Sequence, residues 1–329
     1  MHQRQLGQNG PMVGAVGYGA MSFSDFYGPA RDEDSLALLD LCLDLGITHL
    51  DTSNVYGSGR SERVIGQWLK ARGGECPFTI ATKGGITADD RKRFRNDPAY
   101  LTQCLDESLL RLGVEAVDLY YVHRRDPDIP IEDVTGTLAG FVQAGKVKAI
   151  GFSEIAPFSL RRAHAVHPVA AVQSEYSLST LSPEMGLVQT CAELGVALVA
   201  FSPVGRGLLT DRPHDAQTVA GIGFLKGNPR FMEPNLTANL EQTARFRDLS
   251  ADMGCSAASL AIAWLLAQGG HILPIPGTRH TGHLREVAAG ASITLTAEDL
   301  ARITAVLPVG WAHGDRYNAR QWEGPEKYC

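Results

Sequence analysis

Short, continuous apolar runs alternate with longer stretches of helical period along this chain. The runs are Val13–Tyr18, Thr48–Leu50, Phe78–Ala81, Val117–Val122, Lys148–Gly151, Ala170–Val172, Val196–Phe201 and Ile272–Ile275. They are rich in Val, Ile and Leu, as parallel strands buried on both faces should be. The stretches between them read as helices with legible ends. Leu36, Leu39 and Leu43 mark one buried stripe, closed by Gly46, and Leu101, Leu105, Leu109 and Leu112 mark another, closed by Gly113. Ser182 is placed to cap a helix whose first residue is Pro183 and whose end is Gly195. Thr296-Ala297-Glu298-Asp299 has the form of a capping motif. Asn9-Gly10 is a favoured two-residue turn, so residues 4–13 are expected to form a small hairpin.

About eight strands alternating with helices fit either a closed barrel or a doubly wound sheet. The doubly wound sheet wants G-x-G-x-x-G after its first strand. Gly14, Gly17 and Gly19 lack that spacing, and no other stretch has it. The expected fold is therefore α/β: a (β/α)8 TIM barrel, its bottom closed by the N-terminal hairpin, with residues 1–329 as a single domain. Two connections are long, Gly84–Pro98 and Val204–Asn235. Long loops in compact domains are usually functional, and these two are expected to wall or cover a site.

Composition narrows the function. The chain has 329 residues, is 44% hydrophobic and carries a formal net charge of -6. That balance disfavours nucleic acid, which calls for a clustered basic surface. The one dense basic stretch, Arg91 to Arg95, follows Asp89 and Asp90 and reads as a solvated loop. No run approaches the roughly 20 apolar residues of a membrane span. The start, MHQRQLGQNG, lacks the apolar core of a signal peptide, so a soluble cytoplasmic protein is expected. The six cysteines form no CxxC pair, and Cys42, Cys104 and Cys191 sit in helical stretches as small hydrophobes. His164 with His167, and His280 with His283, lack matching ligands, so no metal is expected.

Four polar residues stand at or just beyond the ends of apolar runs: Asp51, Tyr56, Lys83 and His123. In a (β/α)8 barrel the carboxyl ends of the strands converge on one face, where catalytic groups gather. A tyrosine is a poor acid, with an ordinary pKa near ~10. An adjacent Lys83 ammonium would lower that value, and Asp51 could pair with the lysine and hold it. A neutral His123 could donate a hydrogen bond to a carbonyl oxygen. Together they would protonate an oxygen on which negative charge builds. That is half of a carbonyl reduction. The other half is a hydride, which no side chain supplies, so a cofactor is required.

The segments LDTSNVYG, ATKGG, DLYYVHRRD, GKVKAIGFSE, VQSEYS, FSPVGRGLL and IPGTR, in this order, strongly resemble the aldo-keto reductase superfamily. The resemblance runs from about residue 4 to residue 317. It is strongest to the bacterial and plant-type branch that includes the potassium-channel β subunits. It implies a barrel that binds NADPH/NADP+ without a Rossmann domain, with Asp51, Tyr56, Lys83 and His123 as the catalytic set. It further implies that Ser153 and Gln173 hold the nicotinamide carboxamide and that Tyr176 stacks on the ring. Gly19 and Met21 would touch the nicotinamide side. Ser202, Val204, Gly205 and Arg206 resemble the loop over the pyrophosphate, and Gly277, Thr278 and Arg279 the loop at the adenosine phosphate. Glu286 matches an acidic residue of the family's adenine region. Two departures stand out. Val122 replaces a common Gln before the histidine, and Val287 replaces the Asn that follows the acidic residue in relatives and binds adenine.

The resemblance implies a reductase of aldehydes and ketones acting on a small-molecule carbonyl substrate. Two other readings are a cofactor-binding regulatory or sensor subunit and an oxidative sugar or alcohol dehydrogenase. Phe23, Phe26, Tyr27 and Phe231 would either line an aromatic pocket or pack the loops. Arg124 or Arg125 would either attract an anionic substrate or form a surface salt bridge.

Overall fold

The computed structural model describes residues 1–87 and 92–328. Two strands, β1 (Gln3–Gln5) and β2 (Met12–Gly14), pair antiparallel. Eight parallel strands follow: β3 (Tyr18–Gly19), β4 (His49–Asp51), β5 (Thr79–Gly84), β6 (Val117–Val122), β7 (Val147–Ser153), β8 (Val169–Glu175), β9 (Ala197–Phe201) and β10 (Ile272–Pro274). Each pairs with its sequence neighbour. The Gly17 and Gly19 amides donate to the Pro274 and Pro276 carbonyls at 2.9 and 3.0 Å, joining the first strand to the last. The result is a (β/α)8 barrel.

The helices between the strands are α1 (Asp32–Asp44), α2 (Arg60–Arg72), α3 (Pro98–Leu112), α4 (Ile131–Gln143), α5 (Pro157–Val166) and α6 (Leu187–Leu194). Five more follow β9 or β10: α7 (Ala216–Gly221), α8 (Asn235–Asp252), α9 (Ala257–Ala267), α10 (Thr281–Ala289) and α11 (Ala297–Val306). Local chemistry explains their ends. In α3, Asp97 accepts from the Tyr100 amide at 3.0 Å, Pro98 opens the first turn, and Gly113 takes φ 70° beyond the last. Leu101, Leu105, Leu109 and Leu112 are all buried. Thr296 and Asp299 form a reciprocal capping box on α11. Among the described residues no single helix is long and apolar enough to cross a membrane.

Strand alternation divides the core into two shells. Leu119, Tyr121, Ala81, Ala171, Ala197, Val199, Leu273 and Ile275 fill the barrel. Their strand neighbours, among them Ile80, Tyr120, Val172 and Leu198, pack outward on the helices. The hairpin adds Leu6 and Val13 to the inner shell. Arg4 fastens it beneath the barrel by donating to the carbonyls of Leu266, Gly269 and Ile272 at 2.6, 2.6 and 2.7 Å.

Four elements differ from what the sequence predicts. The run Val13–Tyr18 is not one strand; it splits between the hairpin and the first barrel strand. The hairpin turn is wider than Asn9-Gly10, because the Leu6 amide bonds to the Pro11 carbonyl. On α1 the fully buried stripe is Leu38, Leu39, Leu41 and Cys42, with Leu36 and Leu43 at its margin. Ser182 lies in a short 3-10 turn, and the helix proper begins at Leu187.

The two long connections differ. Residues 204–235 carry α7 and a small core of Leu208, Val219, Ile222, Leu225, Phe231 and Leu236. After β5 the chain turns back on itself with Ile86 bridged to Phe94. Asp89, Asp90 and Arg91 lie outside the described residues. Lys92 pairs with Asp126 at 3.0 Å, and Arg93 with Glu323 at 2.7 Å.

Candidate active site

Alternation along the strands decides which side chains reach the barrel mouth. Lys83 is two residues beyond Ala81, and His123 two beyond Tyr121, so both continue the inward face. The same count from Ala171 brings Gln173 inward. The turn after β4 returns Tyr56 over the mouth, its amide bonded to the Ser53 carbonyl at 3.2 Å.

Four residues distant in sequence thus meet. The Lys83 ammonium donates to Asp51 Oδ1, to the Thr52 carbonyl at 2.8 Å and to the Tyr56 hydroxyl at 3.3 Å. Gln173 Nε2 donates to the other Asp51 oxygen at 2.7 Å. The His123 ring stands edge-on to Tyr56 with centroids 5.8 Å apart, and its Nδ1 lies 3.0 Å from Ser53 Oγ. Asp51, Lys83 and His123 are buried.

The electrostatics follow from burial. Removal from water opposes the charge on Lys83, but Asp51 and Tyr56 outweigh it, and the lysine pKa is raised. The ammonium is therefore fixed. Burial, reinforced by Arg124 and Lys83, holds His123 well below the ordinary imidazole value, so the ring is neutral. Tyr56 corrects the sequence expectation. Lys83 does pull its pKa down, but burial pushes harder and the net shift is upward. An ammonium already neutralised by Asp51 does not offset the loss of water around the phenol.

The next strand ends carry residues suited to a flat amide-bearing group. Ser153 and Gln173 are partners in the β7–β8 register. Tyr176, expected to stack on such a group, is only 1% exposed. Its ring packs against Trp264 of α9 with centroids 5.6 Å apart, and its hydroxyl donates to Glu184 at 2.8 Å. It therefore presents no free face. Phe201 is less enclosed: it ends β9, borders the barrel core two residues beyond Val199, and is half-buried. The sequence reading missed it, although counting inward positions along β9 would have found it.

Comparison with known proteins agrees with this geometry. The profile of the Aldo/keto reductase family matches residues 15–308. This chain belongs to the aldo/keto reductase family. It is 38% identical over 317 residues to Probable aldo-keto reductase 1 of Glycine max, covering 95% of this chain and 91% of that one. Its fold is similar to that of a glycerol dehydrogenase, AKR11B4, from Gluconobacter oxydans, with TM-score 0.81, 25% identity and coverage of 99% and 98% of the two chains. It is also similar to a thermostable aldo-keto reductase, Tm1743, solved with the inhibitor epalrestat, with TM-score 0.73, 25% identity and coverage of 93% and 100%. Carbonyl reduction with a nicotinamide cofactor is the general reaction of the family.

The remaining family positions fall in two groups. Gly19, Met21, Ser202, Val204 and Thr278 are half-buried around the mouth, and Gly277 is exposed. Gly277 is forced by crowding, since a Cβ there would sit 2.4 Å from the Gly19 carbonyl oxygen. Arg279 lies just before α10, and its Nη1 donates to the Pro29 carbonyl at 2.7 Å. The Glu286 carbonyl accepts from Ser259 Oγ at 2.6 Å. Val287 is buried in the outer core at 5% exposure, so it offers no polar group to an adenine. Val122 is buried too.

Arg206 departs from expectation. It is buried and ion-paired to Glu175, its Nη1 donates to the Arg316 carbonyl at 3.0 Å, and Phe224 and Tyr317 cover it. Arg316 in turn pairs with Glu154. This aldo/keto reductase thus ties its C-terminal segment to the ends of β7 and β8. Glu326 extends the tie: its amide donates to the Glu154 carbonyl and its carboxylate accepts from the Ala156 amide, both at 2.8 Å. Of the four aromatics that would either line a pocket or pack the loops, Phe23 and Phe231 are core residues. Phe26 and Tyr27 reach the surface of the mouth, and Phe26 packs on Phe224 at 5.0 Å.

The residues at the mouth fit a nicotinamide cofactor. A hydroxyl and a carboxamide stand side by side on β7 and β8, an aromatic face follows on β9, and a cation stands at the start of α10.

Proposed function

We propose that this protein is an NADPH-dependent reductase of aldehydes and ketones, with Tyr56 as the proton donor. The observation that carries the reading is the contact of the Tyr56 hydroxyl with Lys83, 3.3 Å away, beside a neutral His123. When bound, the reduced nicotinamide supplies the hydride to the carbonyl carbon. Ser153 and Gln173 would hold its carboxamide, and Phe201 would take the stacking role expected of Tyr176. Arg279 would meet the adenosine phosphate and so select NADPH over NADH.

His123 keeps Nδ1 toward Ser53 and uses Nε2–H to hold the carbonyl oxygen. Tyr56 then gives its proton to that oxygen as negative charge builds there. The fixed ammonium of Lys83 stabilises the phenolate left behind. In the oxidative direction Tyr56 accepts the proton; the glycerol dehydrogenase neighbour is consistent with the site running that way. The test is steady-state turnover of benzaldehyde with NADPH, followed by loss of reduced-nicotinamide absorbance. Turnover that Tyr56→Phe abolishes supports the reading. A purified, folded protein that binds NADPH and reduces no carbonyl overturns it.

A further inference from the structure

The cations around the mouth are not alike. Lys83 pairs with Asp51, Arg206 with Glu175, and Arg316 with Glu154. Arg125 meets Glu326 at 3.2 Å. Arg124 stands apart. Among the described residues it forms no ion pair with a carboxylate, although it is half-buried and follows His123 directly. Its Nη1 donates to the His123 carbonyl at 2.7 Å and to Ser153 Oγ at 2.9 Å. Those bonds fix the guanidinium, and among the described residues Nε and Nη2 make no hydrogen bond. Its charge is felt by both His123 and Tyr56, so it lies close to the reacting groups. Its stem lies against Gly324 of the C-terminal segment, where a Cβ would come within 2.8 Å of the Arg124 Cδ.

Arg124 also acts on the Glu154 carboxylate, but Arg316 makes the ion pair there, so this half-buried cation keeps capacity for a further anion. A planar guanidinium suits a carboxylate above other groups, through two parallel hydrogen bonds. We infer that Arg124 is a specificity-determining residue, and that the preferred substrates are aldehydes or ketones bearing a carboxylate. The carbonyl oxygen would lie between Tyr56 and His123, with the carboxylate on the free edge of Arg124. The inference rests on the reductase reading above and adds the substrate class.

The experiment compares 4-carboxybenzaldehyde with its neutral methyl ester in the wild type, Arg124→Met and Arg124→Lys. The ratio of kcat/KM for acid over ester should fall about tenfold or more in Arg124→Met, as loss of a charge-assisted contact predicts. Arg124→Lys, which keeps the charge, should retain part of the ratio. Raised salt should shrink the ratio in the wild type and leave Arg124→Met unmoved. An equal loss for both substrates would overturn the proposal and make Arg124 a positioning residue for His123. A fall in NADPH affinity with no change in the ratio would overturn it in favour of a cofactor contact. Were the wild type to reduce neither aldehyde, the reductase reading itself would fail. Benzoate binding to the NADP+-loaded protein, weakened in Arg124→Met if the inference holds and unchanged if it does not, would then still decide the Arg124 assignment.

Discussion

Tyr56, half-buried, and Tyr317, buried, each stand beside a cation that is itself paired to a carboxylate. Tyr56 has Lys83 and Asp51; Tyr317 has Arg206 and Glu175. In both, burial raises the phenol pKa and the cation pulls it back in part. The difference is orientation. Both rings have a cation over the face, Lys83 Nζ 5.0 Å from the Tyr56 ring centre and the Arg206 and Arg316 guanidinium carbons 5.0 and 4.7 Å from that of Tyr317. Among the described residues, only Tyr56 of the two also brings its hydroxyl to the cation, 3.3 Å away. A cation on the hydroxyl stabilises a phenolate; a cation on the face binds the ring and does nothing comparable for proton loss. The same ingredients therefore serve proton transfer at one place and fastening at the other.

The most direct way to break this comparison is to remove each hydroxyl. Tyr56→Phe should lower the reduction rate on the order of 100-fold or more, the scale of a general acid, with NADPH affinity little changed. Tyr317→Phe keeps the ring face and should show no such loss. Comparable losses in the two variants, measured by single-turnover hydride transfer, would mean that orientation is not what distinguishes them.

The cations come next. Lys83→Met leaves Asp51 buried with Gln173 as its remaining side-chain partner among the described residues, and breaking such a pair costs about 3–5 kcal/mol of stability. It also removes the one influence that lowers the Tyr56 pKa through both charge and hydrogen bond. In the oxidative direction Tyr56 must be unprotonated, so the rise of rate with pH should move to higher pH. Arg206→Met should destabilise to a similar degree, yet leave that rise where it is. A shift in both variants, or in neither, would erase the distinction.

A subtler effect concerns Arg316. Burial alone would raise the Glu154 pKa, but Arg316 brings it below the ordinary glutamate value. A depressed pKa contributes stability that is complete above the unfolded value, about 4.3, and is lost as pH falls through the folded value. In Arg316→Met the Glu154 pKa rises, because burial is then opposed only by Arg124 and by the hydrogen bond from the Glu175 amide among the influences described. The stability gap between wild type and variant, about 3 kcal/mol at neutral pH, should narrow as pH falls toward ~4. Urea denaturation at several pH values measures it, and a gap independent of pH would remove the pair from the account.

Much of this was legible in the sequence, for identifiable reasons. Parallel strands are apolar on both faces, so their runs stand out, and Lys83 and His123 continue the inward face of their strands by simple counting. The same count would have placed Phe201 at the mouth and kept Tyr176 away from it. Motif resemblance drew attention to Tyr176, and only Trp264, distant in sequence, shows that its ring is occupied. The tie between the C-terminal segment and the barrel had no readable signal. Arg316 and Glu326 follow no period, and their partners Glu154, Ala156 and Glu175 are more than 140 residues away. Pairing of charges across such distances is fixed by the fold, which is also why Arg124 and Arg125 could not be told apart beforehand.

Cofactor choice gives the smallest expected effect and extends the comparison to a cation on the rim. Arg279, like Arg124, forms no ion pair with a carboxylate among the described residues, and only Nη1 is engaged, by the Pro29 carbonyl at 2.7 Å. Lys83 and Arg206 are already satisfied; Arg279 retains donors for an incoming anion. A guanidinium on a phosphate is worth roughly 1.5–3 kcal/mol. NADH lacks the adenosine 2′-phosphate and gains nothing from it, so NADPH should bind at least about tenfold more tightly. Because Val287 is buried and gives adenine no hydrogen bond, the phosphate contact should carry an unusually large share of recognition at that end. Arg279→Ala should therefore weaken NADPH and leave NADH nearly unchanged, and raised salt should mimic the substitution in the wild type. Dissociation constants for both cofactors, in both proteins and at two salt concentrations, decide the matter. Equal weakening of the two, or none, would return Arg279 to the surface cations.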